Sequence, residues 1–194
     1  MSFSENFLSL FAEICERIDH SIIDRMAMKL AKLRQNNGRL FILGVGGSAG
    51  NASHDVNDFR KLCDIETYSP TDNVSELTAR INDDGWESSF SEWLIGCRVS
   101  KQDGVLVLSV GGGNLEKNVS MNIVTALNLA KERNLSIFGI VGRDGGHVAK
   151  LADEVVIIPT IDKQLITPYA ESFQAVIWHC LVSHPLIQER KTKW

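Results

Sequence analysis

At 194 residues the chain is long enough to bury the core of one domain. Its 44% apolar and 23% charged residues exclude a disordered or fibrous chain, and a net charge of −4 offers no basic excess for nucleic acid. Cys15, Cys63, Cys97 and Cys180 form no C-x-x-C, no apolar run approaches the roughly 20 residues of a bilayer span, and no secretory leader opens the sequence, so a cytoplasmic protein with reduced thiols is expected.

In chain order, apolar residues at Phe7, Phe11, Ile14, Ile18, Ile22, Met26, Leu30 and Leu33 step by three and four, which predicts one long amphipathic helix over 1–36, ended by "NNG". Its apolar stripe exceeds what one small sheet needs, and part of it reads as an oligomer interface. Beyond it, "RLFILGV" (39–45), "IETYS" (65–69), "GVLVLSV" (104–110), "LSIFGIVG" (135–142) and "EVVIIP" (154–159) read as strands. Helical patterns fall at 53–62, 73–97, 122–134 and 169–184. Strands alternating with helices predict a parallel sheet of five strands covered on both faces, here a single unit spanning 1–194 with its α/β core at 37–194. The tail "ERKTKW" (189–194) reads as a solvated terminus.

Two glycine turns fall at the carboxyl ends of predicted strands, where ligands of such sheets bind. "GVGGSAG" (44–50) carries Gly46, Gly47 and Ser48; "SVGGGNLEKN" (109–118) carries Ser109, Val110, Gly111 and Asn114. Glycines let a backbone approach an anion and helix-start N–H groups add positive charge, so each is either a phosphate nest or a tight strand-to-helix turn. Neither is a GxxxxGK[ST] loop or a clean GxGxxG, and no nucleotide cofactor is expected. "GRDGG" (142–146) reads as a turn only.

His54 and Asp58 stand four apart, on one helix face; Glu171 and His179 stand eight apart in the last helix. Together they would make a four-ligand site for Zn²⁺ or a similar ion. The alternatives are exposed surface pairs and, for His179 beside Trp178, a satisfied core histidine.

The segments "LGVGGSAGNASHDVNDF", "INDDGW", "LSVGGGN", "GIVGRDGG" and "TPYAESFQAVIWH", in this order, resemble the sugar isomerase (SIS) domain and within it the phosphoheptose isomerase family. The resemblance implies a three-layer α/β/α fold, interconversion of sedoheptulose 7-phosphate and D-glycero-D-manno-heptose 7-phosphate through an enediol, and a homotetramer with sites between subunits. It also implies that His54, Asp58, Glu171 and His179 serve as zinc ligands, with Asp58, Glu171 and His179 as acid–base groups. Asp58 and Glu171 stand where the family has Glu and Gln. By the same comparison Gly46, Gly47 and Ser48, the pair Asn82 and Asp83, and Ser109, Val110, Gly111 and Asn114 bind substrate. The family's hydroxyl-rich phosphate loop is here poor in hydroxyls. Some relatives are non-catalytic phosphosugar-binding modules or adaptors of the replication initiator, which is the alternative function.

Overall fold

The computed structural model describes residues 1–191; the end of the basic tail, 192–194, lies outside the described residues. Five strands, β1 (Leu40–Leu43), β2 (Thr67–Tyr68), β3 (Gly104–Ser109), β4 (Ser136–Val141) and β5 (Glu154–Ile157), form one sheet in the order β2-β1-β3-β4-β5, every pairing parallel. Every residue of β1 and β3 is buried, as the continuous apolar runs require of strands covered on both faces. Alternate side chains serve opposite cores. Leu40, Ile42, Leu106, Leu108, Phe138 and Ile140 face one; Phe41, Leu43, Val105, Val107, Ile137 and Val141 face the other.

The first core is covered by α1 (Phe3–Arg17), α2 (His20–Gln35), α3 (Gly47–Cys63) and α8 (Ile166–Val182). The second lies under α5 (Ser89–Gly96), α6 (Met121–Glu132) and α7 (Gly146–Leu151), with α4 (Val74–Asp84) beside α5. A 3-10 turn at Pro70–Asp72 leads into α4. The three layers expected from the sequence are present.

The N-terminal segment is a correction: it is two helices, not one. Ile18 is extended (φ −68°, ψ 133°), and the Asp19 carboxylate accepts from the Ser21 N–H, capping a new helix. A continuous apolar period hides this break because Ile18 is itself buried and keeps the stripe in phase across it. On α1 only Ile14 is fully buried; Phe7 stacks on Tyr169 at 4.9 Å and Phe11 on Phe173 at 5.1 Å, while Phe3 and Leu8 stay exposed. The short helix α7 had no apolar period to announce it.

Among the described residues no helix is long and apolar enough to cross a membrane, and the four cysteines are unpaired. Burial pushes the Cys63 thiol up to about 12 and raises Cys97 and Cys180, which leaves these three as neutral thiols.

Candidate functional site

β1 and β3 are neighbours whose chain continues to opposite sides of the sheet, and at their carboxyl ends opens a cleft of about 750 Å³. It is lined by Val45 and Ser48 from the first glycine turn and by Ser109, Val110, Gly111, Gly113 and Asn114 from the second. Both turns singled out in the sequence therefore meet at one cavity. Gly46 (φ +63°) and Gly47 lie between Val45 and Ser48, and α3 begins at Gly47 with no side-chain cap on its N–H groups. The amino end of α8 arrives at the same place through Thr167. Two long helices thus point their positive ends at one cleft.

Two amides, the buried Gln174 and the half-buried Asn51, fix this corner. Gln174 donates to the Ser48 hydroxyl oxygen at 3.0 Å and accepts from Asn51 at 2.8 Å. With one of its two lone pairs taken by Gln174, Ser48 keeps its own O–H for a ligand. Ser109 is more committed, because its oxygen accepts the Gly112 N–H at 3.0 Å and so shapes the turn.

The turn "GRDGG" is more than a turn: Arg143, Asp144 and Gly146 line the cleft, as do Lys117, Val119 and Ser120 from the segment after the second glycine turn, and Thr167. None of these seven was singled out in the sequence. The second and third turns are zipped together by His147 N–H to Gly113 O (2.9 Å) and Val148 N–H to Gly112 O (3.0 Å). A Cβ on Gly112 (φ +69°) would overlap the Gly145 carbonyl, and one on Gly146 (φ +53°) the carbonyls of Gly111 and Gly113. The glycines here are required by a backbone crossing.

Farther along α3 and α8, His54, Asp58 and His179 converge, their donor atoms all within 4.8 Å of one another. Asp58 Oδ2 lies 3.6 Å from His54 Nε2 and 3.5 Å from His179 Nε2. Two bonds of about 2.1 Å at a tetrahedral angle would set donors about 3.4 Å apart, so these residues fit a zinc-sized ion. The support around them is ordered. Trp178 Nε1 donates to Asp58 Oδ2 at 3.2 Å and Asn57 Nδ2 to Oδ1 at 3.0 Å. His179 Nδ1 lies 2.8 Å from the Ala175 carbonyl; because a carbonyl only accepts, Nδ1 carries the proton and Nε2 keeps its lone pair. Over half of each imidazole is exposed (56% and 53%), which sets aside the core-histidine reading of His179.

Glu171 does not join this cluster. Its carboxylate lies across Gly47, where an added Cβ would come 2.5 Å from Oε1. Within the chain Glu171 lies about 12 Å of helix rise before His179, toward the amino end of α8. Asn82 and Asp83 are exposed at the end of α4, bonded to each other at 2.8 Å, and do not line the cleft of their own chain. One buried carboxyl was overlooked: Asp55, fully enclosed on α3, has no partner for either oxygen. Burial first, then the Asp58 charge, raise it well above the usual carboxylate range.

No model of a protein family matches the chain. The phosphoheptose isomerase of Aneurinibacillus thermoaerophilus is 30% identical over 174 residues, covering 87% of this chain and 81% of that protein. The lincomycin biosynthesis protein LmbN of Streptomyces lincolnensis is 33% identical over 158 residues, 76% of this chain; the chain spans 56% of its length. Among solved structures, phosphoheptose isomerase GmhA from Neisseria gonorrhoeae superposes with a TM-score of 0.76 at 24% identity, covering 93% of this chain and 97% of its own. A phosphoheptose isomerase from Francisella tularensis gives 0.77 at 19%, covering 96% and 98%.

Proposed function

The chain belongs to the phosphoheptose isomerase family, and on that premise we propose that it interconverts the ketose and aldose forms of a phosphosugar, sedoheptulose 7-phosphate and D-glycero-D-manno-heptose 7-phosphate. One observation carries this reading. The His54–Asp58–His179 cluster sits on the same two helices whose amino ends border the glycine-turn cleft. From Ser48 to His54 is six residues, about 9 Å of helix, and side chains lean toward the helix amino end. A seven-carbon phosphosugar with its phosphate in the glycine turns has the length to bring C1 and C2 to the histidines.

The roles follow from the surroundings of each group. Asp58 takes the proton from the carbon beside the carbonyl and returns it to the neighbouring carbon, with the enediol between the two steps. Asn57 and Trp178 hold that carboxylate in place. His179 has Nε2 alone to work with, in one of two exclusive roles: protonated there, it gives that proton to the carbonyl oxygen and takes one back from the neighbouring hydroxyl as the enediol collapses; unprotonated, it gives its lone pair to a metal. When bound by His54, Asp58 and His179, Zn²⁺ or a similar ion would polarise the carbonyl and stabilise the enediolate. Glu171, over Gly47 and between the two ends, is placed to receive hydroxyls along the sugar.

Incubation of the purified protein with sedoheptulose 7-phosphate is expected to yield the aldose to equilibrium, followed by NMR of the anomeric protons. In deuterated water the product should carry deuterium at C2, the mark of a carbon-bound proton exchanged at Asp58. A second reading, a phosphosugar-binding module without turnover, is favoured by the shortage of hydroxyls in the second glycine turn. Saturable binding with no product would establish it. We propose a homotetramer, because Phe3, Leu8 and Met28 leave apolar surface on α1 and α2 uncovered (72%, 66% and 52% exposed). Light scattering at micromolar concentration is expected to give four times the chain mass, and a monomer would refute it.

A further inference from the structure

We propose that this cleft grips its anion by charge, with Arg143 and Lys117 taking the place of the missing hydroxyls, and that they select a doubly charged phosphate monoester. The inference rests on the phosphosugar reading of the cleft, and it names the residues that set its specificity.

Val110 and Gly111 offer no hydroxyl, and the Ser109 oxygen is already bonded to Gly112 N–H. The same cavity wall carries two cations, Arg143 and Lys117, and neither side chain has a hydrogen-bond or ion-pair partner among the described residues. Asp144 is the one carboxylate among the lining residues, and its Oδ1 accepts the Gly146 N–H at 3.2 Å. A pair of unpaired cations facing glycine N–H groups and the ends of two helices makes a field suited to two negative charges.

The backbone is arranged to hold these cations there. Among the described residues seven other than glycine have positive φ, and four of them are Asn or Asp, which tolerate it. Of the remaining three, Ser120 (φ +51°) and Arg143 (φ +53°) line this cleft. The left-handed turn at Arg143 lays its stem over the second glycine turn, so that a Cβ on Gly111 would stand 3.6 Å from Arg143 Cδ. The zipper between the second and third turns fixes Arg143 relative to that nest. Lys117 is held on a small hairpin closed by two bonds between Asn114 and Val119 (2.9 and 3.0 Å), with its own N–H on Asn114 Oδ1 at 2.8 Å. Arginine supplies a planar fork that matches phosphate; lysine supplies a point charge.

The test is calorimetric titration of the full chain with inorganic phosphate, inorganic sulfate and sedoheptulose 7-phosphate. Arg143→Gln is expected to weaken phosphate and phosphosugar about tenfold or more, the loss of a charged hydrogen bond. Lys117→Gln should weaken them less, and the double variant should lose most of the salt dependence of binding. Arg143→Gly separates a ligand role from a structural one. It relieves the left-handed backbone, so it should melt no lower than the parent while still losing the anion. Sulfate, which carries two charges without a titrating proton, should bind in competition with phosphate and respond to the same variants. A folded double variant that binds phosphate and phosphosugar as the parent does would overturn the assignment, as would a parent that binds neither. Weakened binding in a protein that never isomerises the sugar would refute the reaction and leave this assignment standing; unchanged binding with full turnover would do the reverse.

Discussion

His179→Ala is expected to lower kcat for sedoheptulose 7-phosphate by about 100-fold or more and to strip the bound metal, and His54→Ala to lose metal and activity with it. The two imidazoles share Asp58 Oδ2 at 3.5 and 3.6 Å, so deleting either removes one of three donors. Losing a positioned acid–base group alone costs about 10²–10⁴ in rate. Glu171→Gln should keep the metal, because the Glu171 carboxylate lies across Gly47 and outside the cluster. His184→Ala is the control: that ring faces Asp24 at 3.3 Å, away from the three donors, and its loss should change neither quantity. Elemental analysis and initial rates on these four variants check the expectation. Full metal and full rate in His54→Ala would reduce that histidine to a bystander on α3.

Gly112→Ala is expected to be the most destabilising single-atom-group change at the cleft, lowering Tm by about 10 °C. An L residue forced to φ +69° costs about 1–2 kcal/mol. The new Cβ also overlaps the Gly145 carbonyl, so the zipper between the second and third turns must open. A total of about 3 kcal/mol or more, at about 2–4 °C per kcal/mol for a domain of this size, gives that shift. Gly50→Ala provides the contrast within α3. A Cβ there meets nothing within 4 Å, and the helix should gain about 0.5–1 kcal/mol. Thermal melts followed by circular dichroism distinguish the two; equal Tm values for Gly112→Ala and the parent would mean that the turns move apart at little cost.

The sheet and most of its helices were legible because the signals are local. Runs such as "GVLVLSV" are continuous and apolar, as strands buried on both faces must be. His54 and Asp58 were legible for the same reason: four residues return a helix nearly to the same face. Glu171 lies outside the three-donor cluster because its carboxylate turns toward Gly47, an orientation that the spacing of residues along α8 does not reveal. Seven cleft residues went unread because the cavity assembles from turns far apart in the chain, and nothing near Lys117, Arg143 or Thr167 announces that they meet. The break at Ile18 went unread because an apolar period survives a change of helix direction when the residue at the joint is itself buried.

The two edges of the sheet are guarded differently, and this bears on how molecules of the chain can meet. On one side β2 is only Thr67–Tyr68, pairing with Leu40 and Phe41, too short to template another strand. On the other, β5 is flanked by α2, with Arg25 and Lys29 reaching Glu154 at 3.0 and 2.9 Å. Backbone-to-backbone addition of a neighbour, the route to runaway fibrous growth, therefore has no purchase at either edge. Association is left to side-chain surfaces, the kind of contact that the tetramer proposed above would use.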